Sequence, residues 1–193
     1  MAKHIITQNG RLTLACAGTL SEENGMTAAK QAPGHGLTPR EFRDVLGAFP
    51  TGVTVMTTQH EDRLAGVTVS SFNTLSLDPP LVLWSLSLAA PSLPVFRAAG
   101  RFVVNILAEG QEAVALQFAR GSDDKFRGIA LADLECGLPA IAGAAAHVVC
   151  DIHGRAPGGD HEIFIGRVAQ ANHQPQPPIV FHRGRFGSFQ AAS

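Results

Sequence analysis

Hydrophobic residues recur at helical spacing over residues 37–49, and start signals for a helix precede them. Thr38 is a suitable N-cap residue, Pro39 suits the first helical position, and Glu41 follows Thr38 by three residues, as in a capping box. The pattern therefore predicts an amphipathic helix. Its apolar face would consist of Phe42, Val45, Leu46 and Phe49.

After this helix the chain changes to short β-branched and apolar runs separated by turn residues. Strands are predicted over 52–58, 64–71, 78–87, 101–107, 144–153 and 161–170, and PPIVFH and GRFGSF close the chain. Short helices are predicted over 92–100 and 110–119. Roughly seven strands with little β–α–β alternation predict a mainly β fold, an antiparallel barrel decorated with short helices.

The first 36 residues show no sustained periodicity and end in the Pro/Gly/Ala-rich stretch AAKQAPGHG (28–36). We therefore expect residues 1–36 to be a poorly ordered N-terminal extension or linker and residues 37–193 to form one domain. Met26 is an alternative start, so the sequence leaves open whether residues 1–25 belong to the native protein.

Composition restricts the class of protein. The chain has 193 residues, 45% of them apolar, which is enough for one core. A formal net charge of −1 with 16% charged residues argues against a nucleic-acid partner. No run approaches the length of a membrane span, and RLTLACAGTL (11–20) is too short and mixed for a signal peptide. Cys16, Cys136 and Cys150 lack CxxC spacing, which indicates reduced thiols and a cytoplasmic protein.

The stretch HVVCDIHGRAPGGDH (147–161) concentrates side chains that can bind metals or catalyse reactions. In a strand, His147 and His153 would lie on one face and Cys150 on the other. The two histidines would be roughly 20 Å apart at strand spacing, much too far to share one ion. The alternation therefore disfavours a metal site and favours Cys150 as a small buried apolar residue. His161 begins a strand at the barrel rim, a position consistent with either a surface histidine or a ligand contact.

A second segment, GVTVSSFNTLSLDPP (66–80), is rich in hydroxyl side chains where one strand turns into the next. Such hydroxyls and free backbone N–H groups can bind phosphate, although an ordinary Ser/Thr-rich barrel loop has the same composition. GxGxxG after a strand, the P-loop, the GxSxG elbow and HExxH are absent from the sequence. Strand and loop groups would therefore have to bind any nucleotide-like cofactor.

Seven segments, taken in order from about residue 40 to residue 189, carry a family pattern: FRDVLGAFPTGVTVMTT, GVTVSSFNTLSLDPPLVLWSLS, SLPVFRAAGRFVVNIL, QFARGSDDKFRG, GLPAIAGAAAHVVCDI, GGDHEIFIGRV and PPIVFHRGRFG. Together they resemble the flavin reductase-like family, the FMN-binding split barrels that include the small reductase components of two-component flavin monooxygenases. The resemblance implies a six-stranded antiparallel split barrel of Greek-key topology, usually a homodimer. It also implies hydride transfer from NADH or NADPH to FMN or FAD, and supply of reduced flavin to a partner monooxygenase.

The resemblance further implies roles for particular residues. His161 would contact the nicotinamide and is the expected catalytic residue, and Lys125 would be the cation for the flavin phosphate. HRGRF (182–186) would complete the site from the partner subunit. The flavin-binding residues implied by position are Thr51, Thr68, Val69, Ser70, Ser71, Thr74, Ser85, Ser87, Phe118, Ala119, Lys125, Phe126, His182 and Phe186.

Other functions remain open at this point. A split barrel can bind flavin or haem without catalysing its reduction, since a fold does not determine function. A metal-dependent hydrolase is a third class, which strand alternation disfavours. SLSLAAPSLPVF (85–96) has no basic residue before its helix, so the sequence does not choose between FMN and FAD.

Overall fold

The computed structural model describes residues 4–8, 11–15, 36–122 and 124–192. Most of the predicted linker, with Met26 and Cys16, lies outside these ranges. The described helices are α1 (Pro39–Leu46), α2 (Leu93–Ala98) and α3 (Glu112–Ala119). The described strands are β1 (His4–Gln8), β2 (Arg11–Ala15), β3 (Thr51–Gly52), β4 (Thr54–His60), β5 (Arg63–Val69), β6 (Asn73–Leu77), β7 (Pro80–Ser87), β8 (Arg101–Ile106), β9 (Leu131–Ala132), β10 (Ala140–Ile141), β11 (Ala146–Gly158), β12 (His161–His173), β13 (Ile179–His182) and β14 (Arg185–Ser188).

Seven strands form one antiparallel sheet in the order β5-β4-β8-β11-β12-β7-β6. Its edges, β5 and β6, are joined by residues 70–72 alone, so the sheet curls and brings β5 close to β7. A three-stranded sheet, β14-β13-β3, continues into the main sheet because β3 leads directly into β4. The predicted mainly β, antiparallel barrel is confirmed, and the short strand β6 brings the main sheet to seven strands. None of the described helices is long and apolar enough to cross a membrane.

Aromatic rings from four elements fill the barrel interior. Trp84 of β7 stacks on Phe164 of β12 with ring centroids 4.7 Å apart. Phe96 of α2 and Phe102 of β8 contact Trp84 edge-on at 5.0 and 5.7 Å. All four rings are completely buried. Because burying such a side chain contributes about 1.5–3 kcal/mol, this cluster holds α2 against the barrel.

Helix α1 begins as predicted, with both hydrogen bonds of the capping box. Thr38 Oγ1 accepts a hydrogen bond from the Glu41 amide at 3.2 Å, and Glu41 Oε2 accepts one from the Thr38 amide at 2.7 Å. Part of the apolar face is nevertheless uncovered by the described chain, although Phe42 and Leu46 are half-buried. Val45 is 62% exposed and Phe49 is 71% exposed.

The structure extends or adds strands where the sequence pattern was weak. β11 and β12 form a hairpin of two 13-residue strands. They are longer than the predicted 144–153 and 161–170, because pairing continues to Gly158–His161 at one end and to Ala146–His173 at the other. Strand β6 was not predicted, since an irregularity between Thr74 and Ser76 interrupts its alternation.

Candidate functional site

Strands β5 and β7 face each other without a ladder of backbone hydrogen bonds between them. Just beyond β5, the Ser71 hydroxyl accepts a hydrogen bond from the Ser85 amide at 3.1 Å and donates one to the Ser85 carbonyl at 3.3 Å. One side chain therefore bridges the two strands. We call the line between β5 and β7 the seam, and two cavities lie along it.

Cavity A lies at the Ser71 end of the seam and has a volume of about 530 Å³, within the roughly 300–1,000 Å³ typical of small-molecule sites. Apolar side chains, including Leu83 and Ile163, form part of its wall. It also brings together five of the residues implied by the family resemblance, from four separate segments. These are Thr51, Ser70, Ser71, Ser85 and His161.

Two hydroxyl groups in the wall of cavity A are buried without a hydrogen-bond partner among the described residues. They are Thr51 Oγ1 and Ser70 Oγ. A buried hydroxyl left in this state costs about 1–3 kcal/mol. A ligand with carbonyl and ring-nitrogen groups would satisfy both hydroxyls, so the cavity is suited to a polar heterocycle.

His161 is held at the wall of cavity A by its neighbour Asp160. The imidazole Nδ1 lies 2.7 Å from Asp160 Oδ1, and the histidine side chain is only 2% exposed. The hydrogen bond to His161 holds the pKa of Asp160 below its usual value. An ionised carboxylate can only accept hydrogen bonds, so the imidazole Nδ1 of His161 carries a proton and donates it in a hydrogen bond to Asp160. The pair fixes the orientation of the ring.

Cavity B lies at the other end of the seam and has a volume of about 550 Å³. It is lined by four further residues implied by the resemblance: Ser87, Ala119, Lys125 and Phe126. Lys125 Nζ donates to the Phe118 carbonyl at 2.9 Å and to the Gly66 carbonyl at 3.2 Å. An ammonium has a third donor, and no carboxylate in the described ranges forms an ion pair with it.

Burial lowers the pKa of Lys125, because removing water disfavours the charged amine. An anion in cavity B would offset this loss of hydration. Gln117 keeps the segment around Lys125 in place, since its Nε2 donates to the carbonyls of Lys125 and Arg127 at 2.8 and 2.9 Å. Besides Lys125, the wall of cavity B contains Arg63 and Arg120 against Asp62 and Asp124, so it carries a net charge of about +1 and is suited to an anionic group.

Several residues implied by the resemblance do not line either cavity. Thr68 and Phe118 are completely buried, and the Thr68 hydroxyl donates to the Ala115 carbonyl at 2.7 Å. Both side chains are therefore part of the packing between β5 and α3, and Val69 is likewise fully buried. Exposed Thr74 and His182, and half-buried Phe186, also lie outside the two cavities.

His147 and Cys150 of β11 lie in the interior, whereas His153 of the same stretch is exposed. Cys150 packs with Phe102 and Phe164 in the main core, and burial, with the charge of Asp151, raises its pKa to about 12. His147 lies near two protein acceptors: its Nε2 is 2.8 Å from the Ile141 carbonyl and its Nδ1 is 3.2 Å from Asn172 Oδ1. The prediction that Cys150 is a buried apolar residue is confirmed.

Several residues of these cavities were not predicted from the sequence. Gly158, Leu83 and Ile163 line cavity A, and Arg63 and Arg120 line cavity B. Asp160 was noticed only as part of GGDH. The strand register could have indicated Ile163, because it pairs with Ser85 just as His161 pairs with Ser87.

Comparison with known proteins places the chain in a family. The sequence model described as "Flavin reductase like domain" matches residues 46–190. The flavin-dependent monooxygenase reductase subunit HsaB of Mycobacterium tuberculosis is 42% identical over 151 residues, which cover 77% of this chain and 81% of that protein. The FMN reductase (NADH) SmoA of Agrobacterium fabrum is 39% identical over 155 residues, covering 78% and 86% of the two chains.

A solved structure agrees with these relatives. The Streptomyces globisporus NADH:FAD oxidoreductase SgcE6, in complex with NAD and FAD fragments, superposes with a TM-score of 0.75 at 41% identity and covers 78% of this chain and 92% of its own. The chain belongs to the flavin reductase-like family, and the resemblance found in the sequence is confirmed.

The described residues fit a flavin. Cavity A offers apolar walls and two unsatisfied hydroxyls for a polar ring, and cavity B offers the desolvated ammonium of Lys125 for a phosphate. Both cavities lie along the seam between β5 and β7.

Proposed function

We propose that this protein is an NAD(P)H:flavin oxidoreductase, which transfers a hydride from NADH or NADPH to FMN or FAD. The observation that carries the proposal is cavity A, where the buried hydroxyls of Thr51 and Ser70 lack partners in the same wall as His161. The names of the relatives support the same class of reaction, since they describe a monooxygenase reductase subunit and an NADH-dependent FMN reductase.

The bound flavin supplies the redox chemistry, because its ring accepts a hydride, with two electrons, from the reduced nicotinamide. The chain binds and positions both ligands. Thr51 and Ser70 would hydrogen-bond the flavin ring, and Lys125 would bind its phosphate. Leu83 and Ile163 would exclude water from the ring. His161, oriented by Asp160, would hold the nicotinamide over it at the near-attack distance of about 3–3.5 Å.

Steady-state kinetics test this proposal directly. Purified protein is mixed with NADH or NADPH and with FMN, FAD or riboflavin, and loss of the absorbance of the reduced nicotinamide is followed. We expect turnover that saturates with flavin, and a higher KM for the nicotinamide in His161→Ala with little change in flavin affinity. Tight flavin binding without turnover with either nicotinamide would contradict the proposal and favour a non-catalytic flavin-binding protein.

We also propose that the reduced flavin is passed to a partner monooxygenase, as the names of the relatives suggest. A monooxygenase assay that depends on the added reductase tests this step.

Cys136 and Cys150 are both free thiols, which supports a reducing compartment such as the cytoplasm.

We propose a homodimer in which the uncovered face of α1 contacts the second subunit. Val45 and Phe49 support this, because they are largely exposed in one chain, and Phe49 also lines cavity A. We expect light scattering to give twice the mass of the chain, and Val45→Asp to give the monomer. Arg40→Asp, on the exposed polar face of the same helix, is the control and should remain dimeric.

A further inference from the structure

The N-terminal hairpin formed by β1 and β2 lies outside residues 46–190, the part of the chain that matches the family. Its two strands are paired along their whole length. Between them in the sequence stand Asn9 and Gly10, the residue pair most favoured for a two-residue hairpin connection. The hairpin is therefore a feature of this chain for which the family assignment does not account.

The strand register gives the hairpin one apolar face. Ile5 pairs with Leu14, and Thr7 pairs with Leu12. Because paired residues share a face, as do alternate residues of one strand, Ile5, Leu12 and Leu14 lie on the same face. The opposite face carries mainly polar residues, Thr13 among them. A two-stranded hairpin is at best marginally stable alone in water, so the apolar face needs a surface on which to pack.

Helix α3 and strand β5 provide such a surface. Cα atoms of β1 lie within 8 Å of Cα atoms in both elements. Six of the eight residues of α3 are apolar, and the barrel covers one side of the helix through Ala115 and Phe118. A helix that is apolar around most of its circumference is normally covered on more than one side. The hairpin is therefore placed where α3 needs a second apolar neighbour.

Strand β5 has few other neighbours to hold it. It is an edge strand of the main sheet, and among the described strands only β4 forms a ladder of hydrogen bonds with it. Five consecutive residues of β5, Arg63–Val67, line cavity B, and Ala119 and Arg120 at the end of α3 belong to the same wall. The two elements that β1 approaches therefore form much of the wall of cavity B.

We propose that the hairpin β1–β2 is a strap that docks on α3 and β5 through the face of Ile5, Leu12 and Leu14, holds the wall of cavity B in place and slows the release of flavin. The statement about flavin rests on the proposed function, whereas the docking does not. Without the strap, β5 would be held on one side only, and its local opening would widen the seam.

Hydrogen exchange of the full-length, flavin-free protein tests the docking. Leu14→Glu places a charge on the apolar face, and Thr13→Glu, the matched control, places the same charge on the opposite face of the same strand. We expect the amides of β5 and α3 to exchange about tenfold faster in Leu14→Glu, because burying the charge is unfavourable and the hairpin undocks. Thr13→Glu should exchange at the wild-type rate.

Strand β11, at the centre of the main sheet, separates undocking from general destabilisation. Its exchange should be unchanged in both variants. If β11 exchanged faster in Leu14→Glu to the same extent as β5, the substitution would weaken the whole fold and the docking would be wrong. Equal exchange of β5 in Leu14→Glu and Thr13→Glu would also overturn the docking.

The rate of FMN release tests the effect on the site. FMN-loaded protein is diluted, and the recovery of flavin fluorescence is followed. We expect FMN to leave several-fold faster from Leu14→Glu than from wild type or Thr13→Glu. If β5 exchanged faster in Leu14→Glu but FMN left at the wild-type rate, retention of flavin by the strap would be wrong while the proposed function stood. If the wild-type protein bound no flavin, the proposed function would fail, and hydrogen exchange would still decide the docking.

Discussion

Gly66 of β5 lies directly against the Phe118 ring of α3 beside cavity B, and replacing it with alanine should perturb both folding and the site. The added Cβ would overlap Phe118 Cε1 and would lie 2.5 Å from its Cδ1. Phe118 is completely buried, so its ring cannot swing into solvent. We expect Gly66→Ala to lower the free energy of unfolding by about 1–3 kcal/mol, the usual cost of overpacking. In a chain of this length, that shifts Tm by about 2–4 °C per kcal/mol.

The same substitution should weaken flavin binding. The Gly66 carbonyl accepts a hydrogen bond from Lys125, and the added Cβ would also lie 3.3 Å from the ring of Phe126. Displacement of these groups moves the cation at the wall of cavity B. Urea unfolding monitored by tryptophan fluorescence measures the stability, and fluorescence quenching of FMN measures its affinity.

A double-mutant cycle identifies the cause. In a Phe118→Val background the two overlapping ring atoms are absent, so the cost of Gly66→Ala should fall to within about 0.5 kcal/mol of zero. Gly154→Ala is the control, because this strand glycine has no atom within 4 Å of an added Cβ. Equal costs of Gly66→Ala in both backgrounds, or a Gly66→Ala variant as stable as Gly154→Ala, would refute the steric argument.

Three other substitutions test the site. Lys125→Met should raise the Kd for FMN by about tenfold and leave riboflavin, which has no phosphate, nearly unaffected; a parallel loss for both would contradict a phosphate contact. Ser70→Ala should leave the flavin-free protein as stable or about 1 kcal/mol more stable, because it removes a buried unsatisfied hydroxyl, while weakening flavin binding. Asp160→Asn should destabilise the protein at pH 7. Because the folded pKa of Asp160 is depressed, the carboxylate stabilises above its unfolded value of 3.8, and the difference between wild type and variant should disappear as pH falls below that value. A difference in urea midpoint that did not change with pH would exclude the carboxylate as its source.

The sequence predicted elements whose signals are local. The start of α1 was correctly placed because Thr38 and Glu41 satisfy each other within one turn of helix. The apolar face of the same helix was equally clear in the sequence, but periodicity does not say which surface covers it, and the described chain leaves Val45 exposed. Tertiary packing decides that question.

The site was predictable only in part, because its residues converge from distant segments. Ser70 and Ser85 were identified from their family pattern, and their proximity depends on the curl of the sheet. Thr68 had the same signal as Ser70 but points into the interior, where its hydroxyl bonds the Ala115 carbonyl.

The single hydroxyl of Ser71 that bridges β5 and β7 has a consequence for the life of the protein in the cell. In the proposed flavin complex, the coenzyme would fill the space between β5 and β7, where backbone hydrogen bonds are lacking, and would stabilise the folded chain by mass action. When flavin is scarce, a larger fraction of the chains would be unfolded and accessible to proteases. The abundance of the protein would then follow the supply of its own coenzyme.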